Sequence, residues 1–500
     1  MYIWKSPKCF YTRVGNVPTT HDGMLYSTLG AASWPGAPET GRTLEYRSGP
    51  TGSNPEQWGT DAVGEPSGPA VAEGRSVVTD LSVDGESLRD DVERTATFGA
   101  VDAPEGRGRT ALPGSEANGE ARDRLVDRLR ETGLEVRVDA VGNIAGRWTP
   151  PGANPDTAPV AAGSHLDSVP SGGIFDGVFG VYAALEAVRA IKDSEAAPTR
   201  PLEVVCFTGE EGTRFADGVL GSSVATGKRG VEDALALSDG DTTLEAALER
   251  IGYRGTGRLD AREWDAWLEL HIEQTTHLGD AGVPVGVVSD IAGTTRAHVT
   301  VEGEADHSGT TGMAERTDAL AAASELVLEV ERRASETAAA GSGTAVGTVG
   351  HLDVEPSVVN VVPGSVTLQL DVRSAAAGEI RRQIEAVQRL LDALEVERGV
   401  STSFAADYTV DPTPLSERCR RIAVEAAEES GIETHSVHSG AGHDTMQVAD
   451  VTDAGLLFVA SENGRSHSPR ERADWNDCTA ATTVLAESLC RLATADHPTR

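Results

Sequence analysis

The chain has 500 residues, enough for two domains of ordinary size or one large domain with an insertion, and its 39% apolar content supports a sizeable core. A formal charge of −35 argues against nucleic acid or an anionic membrane as partner, since both need positive surface to neutralise phosphate, and leaves a small molecule as the expected ligand. The five cysteines (Cys9, Cys206, Cys419, Cys478, Cys490) form no Cys-x-x-Cys pair, and no apolar run reaches membrane-spanning length, so a disulfide framework and a thiolate zinc site are not indicated and a reducing cytoplasm is expected.

Residues 1–80 carry eight of the 22 aromatics, a nearly balanced charge and scattered Gly, Pro, Ser and Thr without period. This segment reads as disordered, or as an extension absent from a natural product that starts at Val78. From about residue 86 regular patterns take over. "EARDRLVDRLRETG" spaces Leu125, Leu129 and Leu134 for a helix stopped at Gly133, and "LEVRVDAVGNIAGRW" alternates as a hairpin. Apolar strands follow at "PVAAG", "LEVVCFT" and "AWLEL", with a helix starting near Asp176 and marked by Val181, Leu185, Val188 and Ile191. Strand, helix, strand implies an α/β fold on a mainly parallel sheet.

Between about 293 and 404 the order changes to β-α-β-β-α-β, the ferredoxin-like order: "TRAHVTVEG", a helix over 315–334, "TAVGTVGHLDV", "SVTLQLDVR", a helix over 376–395 and "STSFAADYTV". The first sheet resumes with a helix over 415–430 and the strand "GLLFVA". The expectation is therefore a discontinuous domain, 81–292 plus 405–500, interrupted by an inserted one at 293–404.

Four of the apolar strands run into polar ends. "GSHLDSVPSGGIFDG" places His165 at a strand terminus and Asp176 after a Pro/Gly-rich turn; "LEVVCFTGEEGTRF" ends with Glu210 and Glu211; "AWLELHIEQ" with His271 and Gln274; "LLFVASENGRSHSP" with Ser466 and His467. The carboxyl ends of parallel strands are where such sheets hold ligands. A single Glu-Glu pair in so acidic a chain reads as solvated surface, but four strand ends each carrying a carboxylate or imidazole do not. Asp167, two residues beyond His165, is placed either to cap the turn or to accept the imidazole's second N–H. An N/O donor set without cysteine suits Zn²⁺, Mn²⁺, Co²⁺ or Ni²⁺, and two such ions about 3.5 to 4 Å apart polarise a carbonyl and activate water. A free glutamate then serves as base.

At these residues the chain is identified as similar to a known family. "GSHLDSVPSGGIFDG", "GEEGTRF", "LHIEQ", "ADHSGTT", "NVVPG" and "RSHSP" together resemble the hydantoinase/carbamoylase family of dinuclear amidohydrolases (N-carbamoyl-L-amino acid hydrolases, β-ureidopropionases and allantoate amidohydrolases), related to aminoacylase and carboxypeptidase-like metallopeptidases. The resemblance spans about residues 86–495. It implies a metallopeptidase-like catalytic domain with an inserted lid and dimerisation domain. It further implies two divalent ions per subunit, one held by His165 and His271, the other by Glu211 and His467, with Asp176 between them. Glu210 would be the base that takes a proton from water and passes it to the leaving nitrogen. His307 would reach the partner subunit's site and stabilise the oxyanion, making a homodimer part of the apparatus. Gln274, Asn360 and Arg373 would hold substrate. Asn360 could instead be a turn residue, and Arg373 either clamps a carboxylate through two parallel hydrogen bonds or makes a structural ion pair. "SGAGHDTM" puts His443 and Asp444 in a glycine-rich wall beside the site.

The expected activity is hydrolysis of a linear N-carbamoyl amino acid to amino acid, ammonia and carbon dioxide. Allantoate or an N-acyl amino acid are the nearest alternatives, and a non-catalytic binding protein the remote one. Two departures from the family pattern, Gly312 after "HSGTT" and Arg465 before "SHSP", touch no expected ligand but could shift substrate preference. With only four lysines against its many arginines, the acidic composition also resembles that of salt-loving archaea, so salt is expected to stabilise the chain.

Overall fold

The computed structural model describes residues 81–216 and 218–494; the expectation for residues 1–80 lies outside the described residues. Strands of four or more residues and helices of eight or more are numbered in chain order. The larger sheet contains β1 (Glu135–Val138), β2 (Ile144–Trp148), β3 (Val160–His165), β4 (Leu202–Phe207), β5 (Ala266–Ile272), β6 (Val285–Ile291), β11 (Thr434–Ser439) and β12 (Asp453–Val459). Its order is Thr413–Pro414, β6, β12, β5, β3, β4, β2, β1, with β11 also pairing to β6.

The mainly parallel sheet expected from the sequence is a mixed one. Its pairings divide evenly: β12, β5, β3 and β4 are mutually parallel and β11 is parallel to β6, while both flanks are antiparallel. The reason is connection length. A parallel neighbour requires a crossover, supplied between β3 and β4 by α3 (Val178–Asp193), whereas β1 and β2 are joined by a five-residue turn that only an antiparallel pair can use. Asp139 holds that turn, accepting from the backbone N–H groups of Val141 and Asn143 at 3.0 and 2.9 Å.

The parallel strands are buried on both faces. Helix α3 is apolar nearly all round; it packs on β3 and β5 and against α7 (Trp475–Thr494), with Val181, Leu185, Val188 and Ile191 each contributing roughly 1.5–3 kcal/mol by leaving water. On the other face Phe207, Trp264 and Trp267 pack together, the two indoles stacked at 5.4 Å. Gly163 is obligatory within β3, since a Cβ there would stand 1.8 Å from the Val205 carbonyl oxygen. Close spacing of the strands thus brings their carboxyl ends side by side.

Between β6 and α6 (Glu417–Glu429) the chain builds a second sheet from β7 (Gly293–Glu302), β8 (Val346–Glu355), β9 (Ser365–Ser374) and β10 (Ser401–Val410), antiparallel throughout in the order β8, β9, β7, β10. Helices α4 (Ala319–Ala340) and α5 (Ala377–Arg398) pack against it around a separate core that includes Val299, Leu326, Val366, Leu368 and Leu391. Helix α4 begins at 319 and not at the expected 315, because Asp318 accepts the N–H of Ala321 and caps it there, Met313–Glu315 forming an isolated turn. No described helix is long and apolar enough to cross a membrane.

Candidate metal centre

The four parallel strands end in one place. His165 is the last residue of β3, His271 the penultimate residue of β5, and the turns after β4 and β12 deliver Glu210, Glu211 and His467. Gly177 lets the turn carrying Asp176 close on them: its φ is +67° and a Cβ would lie 2.4 Å from Cε1 of His165, so only glycine lets the chain pass beneath the imidazole.

Asp176 lies at the centre. Its Oδ1 is 3.5 Å from His165 Nε2 and 3.2 Å from His271 Nε2; its Oδ2 is 3.6 Å from His467 Nε2, which is itself 3.1 Å from Glu211 Oε2. Two donor triads result, His165/Asp176/His271 and Asp176/Glu211/His467, joined by one carboxylate. Donors bonded to a tetrahedral cation at about 2.1 Å stand about 3.4 Å apart, close to the separations found. The tautomers also fit. Nδ1 of His165 faces the Asp167 carbonyl oxygen at 3.2 Å and Nδ1 of His271 faces the Ile272 carbonyl oxygen at 3.1 Å, so each Nδ1 carries the proton and each Nε2 lone pair turns inward. Nε2 of His165 is buried with no hydrogen-bond partner.

Charge points the same way. Burial, reinforced by Asp444, Glu211 and Asp176 against the opposing His165, pushes the Glu210 carboxyl well above its usual range. Burial and Asp176 likewise raise Glu211, and push Glu471 up to about 8. Burial and Glu269 push Asp444 up to about 8. Burial opposes protonation of His165, yet Glu210, Asp176 and Asp167 outweigh it and hold this imidazole well above its ordinary value. The hydrogen bond to Glu211 raises His467 to about 9. Buried carboxylates in excess of buried cations are a site that a divalent ion would balance.

The Asp167 carboxylate does not accept the second N–H of the imidazole. It is 3.8 Å from His165 Nδ1, farther than the residue's own carbonyl, and instead accepts from the backbone N–H groups of Gly209, Glu210 and Glu211 at 3.0, 3.3 and 3.2 Å. Those three amides converge at the carboxyl end of β4, and a buried anion satisfies them better than an imidazole that already has a carbonyl acceptor. Asp167 thereby fixes the turn that aims both glutamates.

Two supporting residues escaped the sequence reading. Glu471, 2% exposed, accepts at Oε1 from the N–H groups of Phe175 and Asp176 at 2.7 and 3.0 Å, locking the central carboxylate from behind. Arg109, fully buried, donates to the Leu166 carbonyl oxygen at 2.8 Å and brings positive charge near Asp167, Glu211 and Glu471. Glu471 had one signal, its position four residues after His467; Arg109 had none, lying in a two-residue strand.

A cavity of about 220 Å³ opens over the donors, lined by Glu210 and Gln274 below, Gly440, Ala441, Gly442 and His443 on one wall, and Thr294, Arg296, Arg373 and Tyr408 of the second sheet above. Gln274 Nε2 donates to Ser466 Oγ at 3.2 Å and Ser466 to Asp176 Oδ2 at 2.6 Å. Arg373 is committed on one edge, its Nε and Nη2 gripping both oxygens of Asp371 at 2.7 and 3.0 Å and Nη1 reaching the Gly440 carbonyl oxygen at 3.0 Å. His443 is buried, its ring edge-on to His271 at 4.7 Å, and Asp444 accepts from Ser222 at 2.5 Å. His307 and Asn360 are not among the residues lining this cavity. They lie together at a separate two-stranded ladder, Asp306–His307 with Val361–Val362, both exposed: His307 pairs with Val361, and the Asn360 carbonyl oxygen accepts from Ser308. Nδ1 of His307 accepts from the Gly309 N–H at 2.9 Å, which leaves Nε2 as a donor facing outward.

Residues 161–491 match the family model described as peptidase family M20/M25/M40. An N-carbamoyl-L-amino acid amidohydrolase of Geobacillus stearothermophilus is 37% identical over 407 residues, 80% of this chain and 97% of that protein. An allantoate amidohydrolase of Bacillus subtilis is 33% identical, covering 81% of this chain and 97% of its own length. Among solved structures, a hydantoinase/carbamoylase family amidase from Burkholderia multivorans superposes with a TM-score of 0.77 at 33% identity, over 83% of this chain and 99% of that one.

Proposed function

The chain belongs to peptidase family M20/M25/M40, and from that premise we propose that it is a metal-dependent amidohydrolase cleaving linear N-carbamoyl amino acids. The observation that carries this reading is the pair of donor triads sharing Asp176, with Glu210 largely buried beside them, its Oε2 3.6 Å from His165 Nε2. His165, His271 and Asp176 would hold one divalent ion, and Asp176, Glu211 and His467 the other; Zn, Mn, Co and Ni all suit the donors. When bound, the ions supply Lewis acidity toward the ureido carbonyl and toward water.

The chain's own groups then have defined tasks. Glu210, whose burial raises the basicity of its carboxylate, takes a proton from the attacking water in its ionised form and delivers it to the leaving nitrogen as the C–N bond breaks. One water and one ureido acid become amino acid, carbon dioxide and ammonia. Gln274 offers a side-chain amide at the cavity floor, and the edge of Arg373 not used by Asp371 receives the substrate carboxylate. The β-α-β-β-α-β segment over about 293–404 serves as a ferredoxin-like lid and dimerisation domain. In the dimer, His307, whose Nε2–H faces outward, and Asn360 reach the partner's cavity and donate to the oxyanion and substrate.

Allantoate is the second reading, favoured by the Bacillus subtilis relative. The test is metal-reconstituted protein incubated with N-carbamoyl amino acids, ureidopropionate, allantoate and N-acetyl amino acids, measuring ammonia. Ammonia from none of the ureido substrates refutes the proposal, and release of acetate alone would make this a deacylase.

A further inference from the structure

Arg296 is absent from the motifs that mark the site, yet it stands at the cavity's rim. It occupies the inner strand β7, directly opposite Asp371 on β9 and Tyr408 on β10. Its Nε donates to Asp371 Oδ2 at 3.2 Å, and its guanidinium lies 5.5 Å from the centre of the Tyr408 ring. Asp371 is the same carboxylate that Arg373 grips. One anion therefore anchors two guanidiniums, leaving a net positive charge at the mouth of a cavity in a protein of charge −35. Asp371 and Tyr408 hold Arg296 by its inner nitrogen and its face, so its outer N–H groups are presented at a fixed place on the rim.

We propose that Arg296 is a specificity-determining residue that receives a second oxygen-acceptor group of the substrate, a carboxylate or a ureido carbonyl, beyond the carboxylate taken by Arg373. This deepens the amidohydrolase reading and rests on it. The cavity of about 220 Å³ is lined at once by the donors Asp176, Glu211, His271 and His467 and by Arg296. A substrate whose ureido group sits at the donors and which is long enough to cross the cavity meets Arg296, the charged donor there not already clamped on two nitrogens. A substrate ending in a methyl group gains nothing there, whereas one ending in an acceptor gains a charge-assisted hydrogen bond.

The experiment compares wild type with Arg296→Met and Arg296→Lys on three substrates: N-carbamoylaspartate (a second carboxylate), allantoate (a second ureido group) and N-carbamoylalanine (a methyl). The ratio of kcat/KM for an acceptor-bearing substrate to that for N-carbamoylalanine is expected to fall about 10- to 100-fold in Arg296→Met, with partial recovery in Arg296→Lys. A fall for aspartate alone or for allantoate alone identifies which acceptor the site reads, and either supports the proposal. Equal losses on all three would make Arg296 only a strut for Asp371 and Arg373, and no loss would remove it from recognition; both outcomes overturn the proposal. Metal content and melting temperature of the variants distinguish these from misfolding. Failure of the wild type to release ammonia from any of the three would instead refute the amidohydrolase reading itself.

Discussion

The ends of the parallel strands and the face of the second sheet meet at one cavity but are built on opposite principles. At the strand ends all the donors but His467 are braced from behind: His165 and His271 by backbone carbonyls, the Glu210–Glu211 turn by Asp167, and Asp176 by Glu471 and Ser466; His467 is exposed and, among the described residues, meets only Asp176 and Glu211. Apart from His467 their side chains are largely buried, and their geometry follows from strand spacing and one glycine. On the second sheet and the small ladder of Asp306–His307 with Val361–Val362, Arg296, Arg373, His307 and Asn360 are exposed or half-buried and are held by neighbouring side chains or by ladder pairing. The first region has little freedom to vary and suits the reaction common to many substrates. The second can be changed residue by residue without disturbing the first, which suits recognition.

That contrast breaks most visibly at Glu210. Glu210→Gln keeps the shape and the Asp167-bound turn while removing the base, so kcat is expected to fall about 10²- to 10⁴-fold with metal content unchanged; full activity refutes the assignment. His307→Ala lies in the other region and should leave metal content and stability intact while slowing turnover roughly 10- to 100-fold. Mixing His307→Ala with Glu210→Gln protomers sharpens it. If His307 acts across the dimer, heterodimers carry one site with both native residues and recover activity that neither parent shows; absence of recovery places His307 on its own subunit's site or outside the mechanism.

Glu471 tests the bracing itself. Glu471→Ala leaves the buried N–H groups of Phe175 and Asp176 without acceptors and frees the central carboxylate, so metal affinity is expected to drop about 10- to 100-fold. Glu471→Gln retains a carbonyl oxygen for both amides and should restore most of it. Equal metal affinity in Glu471→Ala and wild type, by titration with a chromophoric chelator, would show that Asp176 needs no second anchor.

How far each region could be read from the sequence follows the same division. The strand-end donors are local: His165, Glu210, Glu211, His271 and His467 each sit within a few residues of an apolar run whose period is plain, and their convergence follows once the four strands are parallel neighbours. What was not legible is what arrives from elsewhere in the chain. Glu471 acts on Asp176 across 295 residues, Arg109 lies in a strand too short to show a period, and Arg296 matters only because β7, β9 and β10 pair in one register. The mixed sheet was missed for a related reason: β6 and β11 pair through long-range contacts that neither run announces alone. Asp167 is legible as a residue beside the site, but its partners, the amides of residues 209–211, are distant in sequence and carry no side-chain signal.

The smallest effect separates the regions by solvent. Raising salt from 0.1 to 1 M shortens the screening length from about 10 to about 3 Å, which weakens interactions between exposed charges and leaves buried ones nearly untouched. Repulsion across a surface of charge −35 is relieved, so the melting temperature should rise by several degrees. Arg296, whose side chain is 51% exposed, and Arg373, at 31%, are screened as well, so KM for an anionic substrate should rise by about two- to five-fold over the same range. The buried triad of His165, Asp176 and His271, at 1%, 6% and 2%, should keep its metal. Loss of metal from that triad in step with the rise in KM would mean that it is as open to solvent as the sheet above it, and the division between a buried reaction centre and an exposed recognition face would fail.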